Sequence, residues 1–364
     1  MKKAGVTNED VLNAEFFEAI ADIEREKGIP QNYMFEKIEQ ALLTALRKDV
    51  PDSAEAARVV VDPKKRTIEM YIEKTVADEV EDPTLEISTE EAKLVSPKYK
   101  AGDVVRTPVD AKKFGRIAAQ AAKQVIIQGI REAERSMIYE EFTSKEHEVL
   151  TGVIAHIDER TGAVSINVSS NSEYTEAVLP ASECIPGEKL REGGYIKVYV
   201  VEVKKAARGP QVMISRTHPG LVKRLFEIEV PEIADGTVEI RAVAREAGSR
   251  SKIAVWSNNP AVEPIGACVG PRGQRVAAIV DELGGEKIDV VNFSEDPRDF
   301  VSAALAPSDV SGVELLDAGG RSCRVIVPDS QLSLAIGKEG QNVRLAARLT
   351  GCKIDIKPLS QFST

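Results

Sequence analysis

An internal repeat in the C-terminal third constrains the fold of this chain more than any other feature. Residues 268–276 (CVGPRGQRV) recur as residues 335–343 (AIGKEGQNV), at a constant offset of 67 positions. After one further residue drops out, residues 288–290 (IDV) match residues 354–356 (IDI). Similarity of this extent indicates two copies of one structural unit. In each copy the pattern predicts a hairpin, an apolar helix, a glycine turn, a second helix and a strand.

Each copy places a G-x-x-G turn between its two predicted helices. Glycine has no Cβ, so a phosphate can approach the backbone closely, and the free N–H groups at the start of the second helix attract an anion. We expect each turn to clamp the backbone of unpaired RNA. A plain bend is the alternative, and a second turn in a matching context disfavours it. The predicted clamp residues are Gly270, Pro271, Arg272, Gly273, Gly337, Lys338, Glu339 and Gly340.

Charged residues beside the two turns refine this prediction. Arg272 and Lys338 supply cations within the turns, whereas Glu339 would repel a phosphate. Either Glu339 points away from the phosphate or the second turn binds weakly. Arg275 closely follows the first turn and is a further phosphate candidate. Arg344 and Arg348 lie one helical turn apart after the second turn and share a face. Those two either pair with phosphates or belong to a solvated surface.

In the rest of the chain, a mixed helical and strand region is followed by a region with a hydrophobic period of two. Helical spacing predicts helices at 8–27, 32–48 and 110–141, with strands at 58–62 and 67–75 between them. A period of two then predicts five short strands, which are typical of a small barrel. We expect a short linker at 296–309 between the repeat copies. The resulting division is 1–142, 143–217, 218–295 and 296–364.

The predicted barrel offers few residues for stacking bases, which is how such barrels hold single strands. Tyr195 and Tyr199 share one strand face because their spacing is even. That face is either inside the barrel, where both rings are core, or open to RNA. The weaker RNA-binding candidates in this barrel are His156, Tyr199, Arg208 and Arg216.

These motifs resemble a known family. Residues 268–276 and 335–356 look like KH modules, and residues 151–168 (TGVIAHIDERTGAVSINV) resemble the RNA-binding barrel of ribosomal S-one type. With the acidic N-terminal region, they together resemble the NusA family of bacterial transcription factors over nearly the whole chain. The resemblance implies a multidomain α/β (α+β) fold. Its parts would be an N-terminal α/β domain with a long connecting helix, a five-stranded OB-type barrel and two tandem prokaryotic-type KH modules.

The resemblance also implies partners. In this family the N-terminal domain docks on RNA polymerase and the other modules contact nascent single-stranded RNA, which modulates pausing, termination and antitermination. Other elongation and antitermination factors are possible further partners. We expect a monomer without catalytic residues, metal or cofactor. Two alternatives stay open: an RNA-processing enzyme related to polynucleotide phosphorylase, and a ribosome-associated RNA-binding protein.

Composition agrees with these expectations. The net charge is −10, but its distribution matters more than its sum. Residues 1–141 carry 22 Lys and Arg against 28 Asp and Glu, whereas residues 321–357 carry seven against three. The four cysteines form no C-x-x-C pair, which disfavours a zinc site or a disulfide framework. There is no signal-peptide pattern and no long apolar run, so we expect a cytoplasmic protein that contacts no membrane.

Overall fold

The computed structural model describes residues 8–109, 111–169, 174–206, 209–317 and 319–361. It divides into two compact units, Met1–Met137 and Ile138–Thr364, and each is described by itself. None of its described helices is long and apolar enough to cross a lipid bilayer.

The first unit combines helices with a four-stranded sheet. Its elements are α1 (Asn8–Lys27), α2 (Gln31–Asp49), β1 (Ala57–Asp62), β2 (Thr67–Ala77), β3 (Glu86–Ser88), α3 (Thr89–Val95), β4 (Val104–Pro108) and most of α4 (Ala111–Thr143). Strand β2 pairs with β1 and β4 in antiparallel and with β3 in parallel orientation. Ile38, Leu42 and Leu46 lie at helical spacing and are buried in one core.

Sequence patterns predicted α1, α2, β1, β2 and α4, and missed the three short elements between β2 and α4. Strand β3 has three residues and α3 has seven, so neither is long enough to display a clear period. Helix α3 begins where the Ser88 hydroxyl accepts a hydrogen bond from the Glu91 N–H at 3.2 Å, which is a typical helix cap.

The second unit begins with the predicted barrel. Its five strands are β5 (Val149–Ile157), β6 (Val164–Ser169), β7 (Tyr174–Leu179), β8 (Tyr195–Ala206) and β9 (Gly209–Ser215). They form one antiparallel sheet in the order β7-β6-β5-β8-β9, and β7 also contacts β9, so the barrel is nearly closed. Alternate residues such as Ile196, Val198 and Val200 fill its core.

The two repeat copies have the same topology. The first KH module contains α5 (Pro219–Glu229), α6 (Pro231–Ala234), β10 (Val238–Glu246), β11 (Arg250–Ser257), α7 (Pro264–Val269), α8 (Gln274–Glu282) and β12 (Lys287–Asn292). The second contains α9 (Pro297–Ala304), β13 (Gly312–Leu315), β14 (Ser322–Val327), α10 (Leu332–Ile336), α11 (Gln341–Thr350) and β15 (Lys353–Pro358). In both, the first two strands are antiparallel and the last two are parallel.

The expected linker at 296–309 is wrong in one respect, because it contains helix α9. The Asp296 side chain caps this helix by accepting a hydrogen bond from the Arg298 N–H at 2.8 Å. Phe300 and Val301 are buried with Ala244 and Val291 of the first module in one shared core. The segment therefore packs the two KH modules together.

Candidate nucleic-acid interface

The two G-x-x-G turns have the same backbone conformation, and we call them loop 1 (residues 270–273) and loop 2 (residues 337–340). Gly270 and Gly337 have φ of 72° and 76° with ψ of 175° and 173°. Gly273 and Gly340 are left-handed, with φ of 76° and 73°. Helices α8 and α11 begin directly after these left-handed glycines, so each loop precedes a helix N-terminus, where an anion is favoured.

The two glycines of each loop serve different purposes. A Cβ on Gly270 would lie 2.6 Å from Cγ of Arg275, and one on Gly337 would lie 2.8 Å from the backbone nitrogen of Asn342. The first glycine thus permits close packing of the chain on itself. Around Gly273 and Gly340 no atom beyond the adjacent residues lies within 4 Å of the corresponding position, so the second glycine leaves open space beside the helix start.

The third residue of each loop is also left-handed, although it is not glycine. Arg272 has φ of 53° and Glu339 has φ of 55°, a conformation that costs an L-residue roughly 1–2 kcal/mol. Both side chains are exposed, as are Pro271 and Lys338. The loops are therefore accessible to a polyanion, and the two cations foreseen from sequence stand at their surface.

Arg275 is placed differently from the expectation. Its Nη1 donates to the Ala267 carbonyl at 2.6 Å and pairs with Glu232 at 2.8 Å. At the equivalent position of the second module, Asn342 donates to the Leu334 carbonyl at 3.4 Å. Both side chains therefore satisfy the end of the helix before the loop. This shared support of the loops was missed from sequence, because Arg and Asn do not look alike.

Arg344 and Arg348 do share a face of α11, and that face is turned toward the first KH module. Arg344 Nε lies 2.6 Å from Oε1 of Glu246, and Arg348 Nη1 lies 3.6 Å from the same atom. The hydrogen bond from Arg344 holds the pKa of Glu246 below its usual value. Arg344 also donates to the Glu339 carbonyl of loop 2 at 3.1 Å, so it links loop 2 to the hairpin of the first module.

The structure corrects the expectation for Tyr199. Tyr195 and Tyr199 lie on the outer face of the barrel, since the residues between them, Ile196 and Val198, fill its interior. Tyr195 is 83% exposed, whereas Tyr199 is only 6% exposed. The Tyr199 ring is covered by the first KH module: it stacks on His218 with a centroid separation of 4.6 Å. It is core, and its hydroxyl does not face an open RNA surface.

Arg216 is also not available to RNA, because its side chain is 1% exposed. It pairs with Glu188 through Nε at 3.0 Å and with Glu282 of α8 through Nη1 at 3.2 Å. Its Nη2 donates to the Glu282 carbonyl at 2.8 Å. A buried charge must be paired in this way, and this one joins the barrel to the first KH module.

The remaining barrel candidates are less informative. His156 is exposed, and its Nδ1 lies 2.9 Å from Oε1 of Glu192. A hydrogen bond from the Ile157 N–H and the contact with His156 hold the pKa of Glu192 below its usual value. Arg208 lies outside the described residues.

The described part of the chain shows no metal site, and two of its cysteine thiols are deeply buried. It contains no group of three or more His, Cys, Asp or Glu side chains placed to hold a metal ion. Burial raises the pKa of the Cys268 thiol to about 12 and that of Cys323 to about 11, so both are protonated thiols at neutral pH.

Comparisons with known proteins agree with this architecture. The chain matches the NusA N-terminal domain family over residues 15–136, the NusA-like first KH domain over 216–293 and the NusA-like second KH domain over 297–364.

Relatives named transcription termination/antitermination protein NusA match most of its length. The protein from Halalkalibacterium halodurans is 51% identical over 96% of this chain and 90% of the relative. The Bacillus subtilis protein is 51% identical over 95% of this chain and 91% of the relative. The Thermus thermophilus protein is 43% identical over 94% and 89%. By its domain order and by these relatives, the chain belongs to the NusA family.

Proposed function

We propose that this protein is an RNA-binding transcription elongation factor that modulates pausing, termination and antitermination. The N-terminal domain (1–142) would hold RNA polymerase, and the barrel (143–217) and KH modules (218–295 and 296–364) would follow nascent RNA. It would act as a monomer in the cytoplasm, where bacterial transcripts emerge, and other elongation factors could join it. Membership of a family of transcription factors removes the phosphorolytic alternative.

One observation carries the proposal: two exposed loops of the same backbone conformation each precede a helix N-terminus on one packed pair of modules. Each loop presents a cation, Arg272 or Lys338, beside an open glycine. A single strand held at both loops gains effective concentration at the second once the first is occupied. The proposed RNA contacts are therefore the residues of loop 1 and loop 2. Arg344 and Arg348 would attract RNA less strongly than unpaired arginines, because Glu246 already pairs with both of them.

The loops can be tested at the glycines that have room for a side chain. The double variant Gly273→Asp with Gly340→Asp adds two carboxylates where we place phosphates, and Gly273→Asn with Gly340→Asn is its uncharged match. Asn and Asp both tolerate the left-handed backbone better than other residues. We expect the Asp pair to weaken binding of a fluorescent single-stranded RNA at least about tenfold more than the Asn pair, with a difference that shrinks as salt rises. Equal binding by the two variants would overturn the clamp.

The polymerase contact needs a separate measurement. Tagged full-length chain should capture RNA polymerase from a nuclease-treated bacterial lysate, and the Asp double variant should capture it equally well. Capture of ribosomal subunits without polymerase would instead favour the ribosome-associated alternative.

A further inference from the structure

A cavity of about 490 Å³ opens at one end of the sheet of the first KH module. Its walls come from the ends of β11 and β12, the connection that follows β11, and the start of α7. Trp256, Phe293, Asn259 and Asn292 are among its lining residues, and Asn259 Oδ1 accepts a hydrogen bond from the Ala261 N–H at 3.0 Å. A cavity of this size with aromatic walls and a few polar groups is suited to a small planar ligand.

The fold does not itself require aromatic residues at this place. Val255 pairs with Asn292 in the first module, and Val327 pairs with Pro358 in the second. The residues that follow these pairs are Trp256 and Phe293 in the first module, and Pro328 and Leu359 in the second. The same strand ends are thus built without rings in the second copy. Trp256 is 38% exposed, so much of its indole surface is available to a ligand.

A cation is directed at these rings by an irregularity in the sheet. The register of β10 against β11 shifts between Ile240 and Ala242, so Arg241 is the extra residue of a β-bulge. Bulges re-aim side chains and are common beside functional sites. The Arg241 guanidinium lies 4.8 Å from the centroid of Trp256 and 5.8 Å from that of Phe293. Its pairing with Glu239 at 3.2 Å is largely exposed and therefore weak.

The one carboxylate that lines the cavity is already engaged. Glu263 caps α7, where Oε1 accepts from the Ile265 N–H at 3.1 Å and Oε2 accepts from the Gly266 N–H. Its negative charge is thus directed at backbone donors at the start of the helix, where a carboxylate is favoured.

The cavity lies within reach of a strand held at loop 1. Helix α7 runs from Pro264 at the edge of the cavity to Val269 beside Gly270. At 1.5 Å per residue, helix α7 is about 9 Å long. A KH loop clamps a stretch of four nucleotides, so the same strand can place a neighbouring base in the cavity.

We infer that this cavity binds one nucleobase of the RNA strand that loop 1 holds. The base stacks on Trp256, the Asn259 amide meets its polar edge, and Arg241 stands beside its phosphate. Aromatic faces combined with a cation are how single-stranded nucleic acid is held without strict sequence preference. The inference rests on the proposed function, because it assumes that the KH modules bind RNA.

Trp256 is the only tryptophan in the chain, so its fluorescence reports on this cavity alone. The full chain is titrated with a fluorescein-labelled single-stranded RNA of about ten nucleotides for anisotropy, and with the same unlabelled RNA for tryptophan emission. We expect RNA to quench the emission and to protect the indole from acrylamide, at the concentrations that raise anisotropy. A rise in anisotropy with unchanged emission and unchanged acrylamide quenching would overturn the nucleobase site and leave the proposed function intact. No rise in anisotropy would overturn both.

Two variants separate RNA contact from simple packing. Trp256→Ala should weaken RNA binding about tenfold, the lower part of the range for loss of one base–aromatic stack, and Trp256→Tyr should restore most of the affinity. Tyr71→Ala is the control: it removes a partly exposed ring that also has an arginine beside it, Arg106 at 5.1 Å. It lies in the N-terminal domain, which we place on the polymerase, and should leave RNA affinity unchanged. If Trp256→Ala lowers the unfolding midpoint but leaves RNA affinity at the wild-type value, the ring serves packing and the inference is wrong.

Discussion

Arg344 Nε and Glu246 Oε1 lie 2.6 Å apart, and this hydrogen bond crosses from the helix after loop 2 to the hairpin of the first KH module. Gln341, the first residue of the same helix, donates to the other oxygen of Glu246 at 2.9 Å. One carboxylate therefore fixes the start of α11 against the neighbouring module. The spacing between loop 1 and loop 2 depends on contacts of this kind.

Glu246→Gln should lower the free energy of unfolding at pH 7 by up to about 1 kcal/mol, because the arginines it pairs with are partly exposed. The pKa of Glu246 is lowered in the folded state by its hydrogen bond with Arg344. The stabilisation that Glu246 provides is therefore present above its unfolded pKa, about 4.3, and is lost as pH falls through its folded pKa. Urea unfolding should show the difference in unfolding free energy between Glu246→Gln and wild type disappearing below about pH 4. Glu202→Gln, on the exposed barrel surface, is the control.

Glu339→Gln should strengthen RNA binding by about twofold to fivefold at low salt. Glu339 is exposed within loop 2, so its charge opposes a phosphate there, and removing one exposed charge is worth on the order of 1 kcal/mol or less. Glu314→Gln makes the same change of net charge on an exposed residue of the same module, and should have a smaller effect. Anisotropy titrations at 50 and 300 mM salt measure both. Equal effects of the two variants would mean that loop 2 does not face the RNA.

His218 should make the junction between barrel and first KH module sensitive to pH. Its Nδ1 accepts a hydrogen bond from the Gly220 N–H at 3.0 Å, which requires an unprotonated nitrogen. Burial lowers the pKa of His218, His147 and Arg245 lower it further, and Glu183 opposes them. The folded state thus disfavours protonated His218. The free energy of unfolding is therefore highest above the unfolded pKa of about 6.5 and falls as pH drops below it.

The measurement compares the thermal midpoint of wild type and His218→Asn between pH 8 and pH 5.5. Asn can still cap α5 but does not titrate, so the variant should lose less stability than wild type over this range. His156→Asn, which removes an exposed histidine from the barrel, should follow wild type. Parallel pH profiles for wild type and His218→Asn would contradict this account.

Arg216→Met should destabilise the second unit by about 3–5 kcal/mol, since it leaves Glu188 and Glu282 without their buried partner. The pairs cross from the barrel to α8, so the barrel and the KH modules should also unfold less cooperatively. Urea unfolding followed by circular dichroism would show a lower midpoint and a broader or divided transition. Arg160→Met, at an exposed turn of the barrel, should change the midpoint little. A loss below about 1 kcal/mol would show that the pairs contribute little.

The sequence by itself determined the longer local elements and the repeat. The spacing of Ile38, Leu42 and Leu46 predicted α2, alternation predicted all five barrel strands, and the matched glycines located loop 1 and loop 2. These features follow from geometry along the chain: 3.6 residues per helical turn, two per strand repeat, and the need for glycine at positive φ.

Only the tertiary structure decided which side chains stay accessible. Tyr199 occupies the outer face of the barrel and is nevertheless buried, because the first KH module covers it. The sequence shows Arg216 and Arg275 as possible phosphate ligands, but in the fold each pairs with a carboxylate from a distant segment. Arg241 and Trp256 meet where a bulge shifts the register of β10 against β11. The period of a segment says which residues share a face, whereas what covers that face depends on segments far away in the chain.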